Sequence, residues 1–218
     1  MTDRSVLRLF RFRATAPSAV IDSTLRDSLV PGMRENEGLV DLFVGRQGTN
    51  DANRRVIATV WESASMLAEA LDDPSGGDRL ESALSSMTAE ADVRTMPIAI
   101  SIAVPSPPEP PHVLRVFEGE VRKGEMEAYL AEARGGTFED LAAEHGPSAL
   151  YLAVASETRF ATISTWTDWT RIEAATGGNI RRPIATRHAR LLVAGGASHY
   201  EILPGTAPRD VPLAAPVD

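Results

Sequence analysis

Val6-Leu7-Arg8-Leu9-Phe10 near the start of the chain returns as Val113-Leu114-Arg115-Val116-Phe117, and Val60-Trp61-Glu62-Ser63 returns, at almost the same separation, as Thr165-Trp166-Thr167-Asp168. A repeat of roughly 100 residues lies far above the period of a solenoid, so each copy should own a core and the two should pack as a pseudo-dimer. The expected units are a first repeat over 1–104, a linker over 105–111, a second repeat over 112–203 and a tail over 204–218. The linker, Pro105-Ser106-Pro107-Pro108-Glu109-Pro110-Pro111, cannot form a helix or a central strand, because proline lacks the N–H donor and fixes φ. The tail carries four prolines and reads as an extended arm, closer to a disordered terminus than to a docked strap.

Working outward, the first copy reads as a strand near 5–14, a helix near 17–29 broken at Pro31-Gly32, strands near 39–46 and 54–62, helices near 63–72 and 78–90, and a strand near 96–104. Gly48-Thr49-Asn50-Asp51-Ala52-Asn53 is the hairpin turn, and Asp72-Asp73-Pro74-Ser75-Gly76-Gly77 separates the two later helices. The second copy repeats the order: strand 113–121, helix 124–144, strands 149–155 and 159–167, helices 168–176 and 180–189, and a strand at 198–203. The fold class is α+β, two ferredoxin-like β-α-β-β-α-β repeats packed sheet to sheet as an α+β barrel within one chain. Phe10, Phe12, Val113 and Phe117 are assigned to the face that the helices leave bare, which must bury itself against the other repeat.

Composition excludes several classes. There is no cysteine, which removes disulfides, thiolate metal sites and cysteine nucleophiles. The net charge of −8 divides equally between residues 1–104 and the remainder, with no basic block, so nucleic acid is not an expected partner. No apolar run approaches the roughly 20 residues that span a bilayer, and Met1-Thr2-Asp3-Arg4-Ser5 leads into a strand without a signal-peptide core, which implies no membrane and a cytoplasmic address. Ser63, Ser156 and Ser164 lack a nucleophile signature, and Gly177-Gly178-Asn179 and Gly195-Gly196 lack the context of a phosphate loop.

With these elements in place the chain resembles the dimeric α+β barrel superfamily, in its antibiotic biosynthesis monooxygenase-like branch, as a fused tandem of what is usually a homodimer. The residues that carry the resemblance are Val6 to Phe12, the turn at Glu37-Gly38-Leu39, and Trp61-Glu62-Ser63 ahead of a helix; the first and third recur in the second copy. The resemblance implies oxidoreductase chemistry: cofactor-independent oxygenation of aromatic molecules, or haem degradation by a strand-one Asn, the strand-three Trp and a His on the following helix. Here strand one offers Arg8, Arg11 and Arg13, or Arg115, Glu118 and Glu120, and neither 63–72 nor 168–176 holds a His, so only the Trp of that set survives.

Candidate site residues follow from an assumed topology in which strands one and three of each repeat run parallel and adjacent, with strand four antiparallel beside the first. That gathers Trp166, Glu118, Glu120, His199, Tyr200 and Glu201 at one corner of the second copy, and Trp61, Arg11, Arg13 and Ile98 at the matching corner of the first. The second corner is the expected working pocket. His199 would act as a base oriented by Glu118, since a neutral imidazole beside a carboxylate is the usual proton-transfer pair. Trp166, Trp169 and Tyr200 would line the cleft for a planar aromatic ligand, competing with a plain packing role for the tryptophans. Arg11 with Trp61 could hold an anionic or aromatic ligand. No cofactor is expected; haem is the alternative, held by His188 or His199. His199 and Glu201 share a strand face but lack a third metal ligand, with His112 assigned to the opposite end and His145 to a turn. The competing functional class is a non-catalytic binding module for haem or a hydrophobic small molecule. Small-molecule ligands are the expected partners, and the pseudo-dimeric monomer could associate further.

Overall fold

Both copies of the repeated Val-Leu-Arg stretch are strands, β1 (Val6–Ala14) and β5 (Val113–Val121), buried along almost their whole length. The computed structural model describes residues 4–48, 53–72, 79–103, 110–137 and 146–206. After β1 come helices α1 (Ser18–Thr24) and α2 (Val30–Arg34), strands β2 (Leu39–Gln47) and β3 (Arg54–Trp61), helices α3 (Ala64–Leu71) and α4 (Arg79–Leu84), and strand β4 (Thr88–Ala103). The second half follows β5 with α5 (Met126–Glu132), β6 (Ala149–Val154), β7 (Arg159–Trp166), α6 (Trp169–Ala175) and β8 (Leu192–Ile202). Most of the linker, most of the tail beyond Thr206, His145, the tip of the 48–53 hairpin and the turn after Asp72 lie outside the described residues.

The second repeated motif has a local physical cause. Each tryptophan ends a strand, and two residues later Ser63 or Asp168 caps the next helix, accepting from Met66 N at 3.2 Å and Arg171 N at 3.0 Å. A hydroxyl or carboxylate at that position satisfies one of the orphan amides of the first turn. Gly38, at φ 77°, makes the turn into β2, where an added Cβ would stand 2.2 Å from Met66 Sδ; only glycine allows this approach.

Hydrogen bonding orders the strands β1-β3-β2-β8-β5-β7-β6-β4 and closes the circle. Within each half the order is fourth, first, third, second, and the halves join at their edges. β2 meets β8 through Gly45–Gln47 against Ile202–Tyr200, and β4 meets β6 through Ile98–Ala103 against Ala153–Ala149. The fold is thus an α+β barrel of two ferredoxin-like halves, joined edge to edge.

Every pairing is antiparallel, which corrects the assumed parallel relation of strands one and three. The hairpin inserts β3 between β1 and β2, so β3 runs against both. Val6 therefore faces Trp61, and Val113 faces Trp166. The two sheet faces are also exchanged relative to expectation. Phe10, Phe12, Val113 and Phe117 pack under the helices, whereas Leu7, Leu9, Leu114 and Val116 fill the barrel with Phe43 and Tyr200. Period two fixes which set shares a face but not which face is covered by helix.

Four element assignments also change. The first helix does not break at Pro31-Gly32: a π turn at Leu25–Leu29 passes it into α2, with Pro31 in the first turn of α2, where its missing donor costs little. The expected helix at 180–189 is an irregular segment around Pro183 followed by a 3-10 turn at Arg187–Leu191. β4 and β8 begin earlier, at Thr88 and Leu192, because β1 and β5 offer full-length partners. Leu203 to Thr206, the last described residues, dock on the barrel: Leu203 N donates to Val44 O at 2.9 Å and Arg34 Nη2 to Thr206 O at 3.0 Å.

Alternating strand directions around the ring make β1 and β5 parallel, so equivalent side chains meet near the barrel axis. Arg11 and Glu118, 107 residues apart, form a fork there, with Nη1 to Oε2 at 2.6 Å and Nη2 to Oε1 at 2.8 Å. Arg94 adds a second guanidinium to Glu118 Oε1 at 2.7 Å. The Arg11 hydrogen bond, followed by the Arg11 and Arg94 charges, holds the Glu118 carboxyl below its ordinary range despite partial burial. Near the other end Tyr151 donates to Asp41. Because the folded pKa of Glu118 is depressed, its stabilisation is complete above the unfolded value of about 4.3 and is lost as pH falls through the folded value. Glu118→Gln should cost about 1 kcal/mol at neutral pH, a figure reduced for its partial exposure. The difference between variant and parent urea midpoints should shrink as the solution is acidified toward that folded value.

Candidate functional site

Trp61 and Trp166 occupy equivalent places, fully buried at the base of the helix layer in each half. Each indole Nε1–H donates to a hydroxyl two residues earlier, Trp61 to Thr59 Oγ1 at 2.8 Å and Trp166 to Ser164 Oγ at 2.9 Å. The hydroxyl shares the strand face with its tryptophan, since alternate side chains point the same way. An equivalent arginine sits opposite each hydroxyl, Arg8 facing Thr59 and Arg115 facing Ser164. These guanidinium carbons lie 5.7 Å and 5.3 Å from the Phe10 and Phe117 ring centres.

Above the tryptophans the halves diverge. In the first half α1, α2, α3 and α4 stand off the sheet and leave a cavity of about 310 Å³, walled by Trp61, Leu29, Met33, Leu71 and Leu80 and edged by Asn36. In the second half Ile172, Ile180 and Ile184 pack directly over Trp166. The cause lies in the connection: an Ile-containing irregular strap follows α6, where the first half has a second helix. The expectation of a working pocket beside Trp166 is therefore corrected; the described apolar cavity belongs to the first half. Its volume is at the lower end of small-molecule sites and holds roughly ten waters.

The cavity lining is apolar apart from the Thr24, Ser28, Asn36 and Trp61 side chains. Asn36 Nδ2 donates to Gly32 O at 3.0 Å and Met33 O at 2.9 Å, and Thr24 Oγ1 donates to Val20 O at 3.0 Å. The Asn36 amide donors are thus committed to α2, and its carbonyl oxygen is the group left to accept from a ligand. No carboxylate, imidazole or amine lies on the described lining.

The residues expected at one corner of the second half divide into two groups. Trp166, His199 and Glu201 do share an end of the sheet, where Val113 pairs Trp166 on one side and Glu201 on the other. Glu118 and Glu120 lie at the opposite end, opposite Ala161 and Arg159 of β7, so Glu118 does not orient His199. Glu120 is an exposed partner of Arg159 at 3.8 Å. Tyr200 points into the barrel core. Glu201 pairs with Arg46 at 3.3 Å across the β2–β8 seam. Trp169 stacks beside His199, with ring centres 5.5 Å apart. In the first half Trp61 sits at the start of β1, and Arg11 and Arg13 at its far end, so they form no common corner. His112 is at the Glu201 end rather than opposite it, and among the described residues no three His, Asp or Glu side chains gather for a metal.

Burial, followed by the charges of Arg115 and Arg181, lowers the His199 pKa to about 4. The ring is neutral at physiological pH and a weak proton acceptor. His188 is buried, with Nε2 against Thr186 Oγ1 at 3.1 Å and its ring edge-on to Tyr129. Neither histidine lines the cavity, and its described lining has no imidazole, phenol or thiolate, so haem does not fit it.

No sequence-family model matches the chain, and no curated protein matches it significantly in sequence. Solved structures do match. A proposed monooxygenase from Fusobacterium nucleatum superposes with a TM-score of 0.73 at 9% identity, covering 93% of this chain and 94% of its own. An anthrone oxidase-like protein gives 0.60 at 16% identity and 92% coverage of each. A proposed chlorite dismutase gives 0.61 at 8% identity, over 94% of this chain and 97% of its own. The fold is that of the dimeric α+β barrel, completed here within one chain. At such identities the likeness reaches the fold and stops short of the reaction, and the differing names show how widely this barrel is used.

Of the cavity lining, Trp61 was among the residues expected from the sequence, whereas Asn36, Leu29, Met33 and Leu80 were not. The signal was present in the apolar spacing of the first helix and in an Asn placed just ahead of Gly38. Removing the acceptor of a buried indole N–H should be costly in either half: Thr59→Val and Ser164→Ala should each lose about 1–3 kcal/mol in chemical denaturation.

Proposed function

We propose that this protein is an oxygenase of the cofactor-independent kind, which takes a planar, largely apolar aromatic molecule into the first-half cavity. The observation that carries the reading is the apolar cavity of about 310 Å³ among the helices of the first half, with the buried Trp61 at its base. The naming of similarly folded proteins as monooxygenases and as anthrone oxidase-like supports the reaction class. In such a reaction an activated ring CH2 becomes a carbonyl while dioxygen supplies one oxygen atom to it and leaves with the two hydrogens as water, so atoms and electrons balance.

The lining dictates what kind of molecule suits. With no base on the described walls, the substrate must lose its proton readily by itself, as the enolisable CH2 of an anthrone does. Asn36 Oδ1 can accept from a substrate hydroxyl at the rim, while the aliphatic wall of Leu29, Met33, Leu71 and Leu80 holds the rings. The apolar setting keeps bulk water from the electron-rich intermediate. The same lack of a base favours a second reading, a binding module without turnover for a hydrophobic small molecule.

Anthrone distinguishes the readings. An oxygenase should consume oxygen in proportion to anthrone oxidised, with tryptophan fluorescence quenched on binding. Gly32→Leu places a side chain where nothing lies within 4 Å of an added Cβ, at the cavity edge, and should reduce both signals by about tenfold or more. Quenching without oxygen uptake would assign the binding module, and a Gly32→Leu protein that behaves as the parent would remove the cavity from either role.

A further inference from the structure

Three arginines are buried in the described structure: Arg8, Arg55 and Arg115. Two have carboxylates. Arg55 Nε donates to Asp22 Oδ1 at 2.9 Å, and Arg8 Nη2 lies 3.6 Å from Glu81 Oε1. Arg115, the counterpart of Arg8, is 1% exposed and has no carboxylate partner among the described residues. Its Nη2 donates to the Arg182 carbonyl at 2.6 Å, its guanidinium lies over Phe117, and its Nε is buried with no acceptor. Burial alone is enough to pull its pKa down to about 10. An uncompensated buried cation is among the most expensive groups a fold can carry. The chain has an excess of carboxylates, yet none among the described residues reaches it.

The surroundings of Arg115 add a second observation. His199 lies directly across the β5–β8 pair, and directly opposed side chains share a face. Its Nε2 is buried without a hydrogen-bond partner. Arg181 is near enough for its charge to act on His199. On the other flank Ser164 Oγ already accepts from Trp166. In the first half the place of His199 is taken by Thr95, opposite Arg8, and α4 brings in Glu81. The second half thus gathers two guanidinium groups, an imidazole with an unused ring nitrogen and, in Trp169 at 38% exposure, an open aromatic face beside that imidazole.

We propose that Arg115 and His199 form a binding site for the carboxylate of a planar small molecule, with the ring of that molecule against Trp169. A guanidinium suits a carboxylate in forked geometry, and the orphaned Nε beside an Nη supplies the two parallel donors. The Arg182 carbonyl now takes the Nη2 donor, as the weaker, neutral substitute for an anion. It belongs to the strap after α6, which starts at Gly177 and Gly178 with φ of 65° and 85° and contains no helix before Arg187. Lifting that strap breaks the bond from Ala197 N to Arg181 O and frees the guanidinium, while the β5–β8 pairing itself involves no strap residue. Burial and then the Arg115 and Arg181 charges depress His199; a bound carboxylate would offset the two charges, so occupancy raises the imidazole pKa. The site is separate from the first-half cavity, and Gly32→Leu should leave it intact.

The test uses benzoate on the whole protein, with acetate and chloride at matched ionic strength. Benzoate should raise the melting temperature saturably, more than acetate does and far more than chloride. Arg115→Met should abolish the benzoate response while melting no lower than the parent in its absence, since it removes a buried charge without a partner. Nuclear magnetic resonance of the His199 ring in the parent should show its pKa rising with benzoate, a readout that remains if Arg115→Met fails to fold. An unmoved His199 pKa in saturating benzoate overturns the proposal, as does an equal benzoate response in Arg115→Met. Equal responses to acetate and benzoate overturn the part given to Trp169.

Discussion

Closure of the strand ring is the constraint on which the rest of the structure depends. A four-stranded half on its own would expose two edges and an apolar face, each a site for unwanted pairing. Joining β2 to β8 and β4 to β6 pairs those edges and turns Leu7, Leu9, Leu114 and Val116 into a common interior. The helices are then confined to the outside, where they cover Phe10, Phe12 and Phe117. Any cleft for a small molecule must form between helix and sheet, because the barrel itself is filled by side chains.

The duplication was legible in the sequence because its physical causes are local. Strand alternation, a strand-end tryptophan and a helix cap two residues later leave a pattern that survives in both copies, as Trp61-Glu62-Ser63 and Trp166-Thr167-Asp168 show. What was not legible was relative direction. Treating β1 and β3 as parallel placed Arg11 beside Trp61, when Trp61 faces Val6, and starting the last strand at 198 instead of Leu192 placed Glu118 beside His199, when Glu118 faces Gly196 and His199 faces Arg115. A wrong direction and a late strand start together misplaced the two proposed corners, although Trp166, His199 and Glu201 still came together.

The cavity was illegible for a different reason. Whether a tryptophan borders open space or packing depends on what the following connection lays over it. Ile180 and Ile184 belong to a segment whose sequence suggested a helix, and Pro183 leaves it as a strap that fits closely over Trp166. In the first half helix α4 contributes Leu80 to the wall of a cavity. Small differences in connection, invisible to periodicity, decide what lies above each tryptophan.

Covalent tandem duplication also changes what the pseudo-symmetry axis can hold. In a homodimer of identical subunits the residue at the Arg11 position would meet its own copy, and two guanidinium groups or two carboxylates there would repel in a partly buried setting. In one chain the two positions vary independently, and here they form a forked ion pair. The pair defines which half faces which, since either half paired with itself would place like charges together. The same freedom separates Arg8, neutralised by Glu81, from Arg115, which is not. Positions that symmetry would have held identical have become, in turn, a lock between the halves and a difference between their sites.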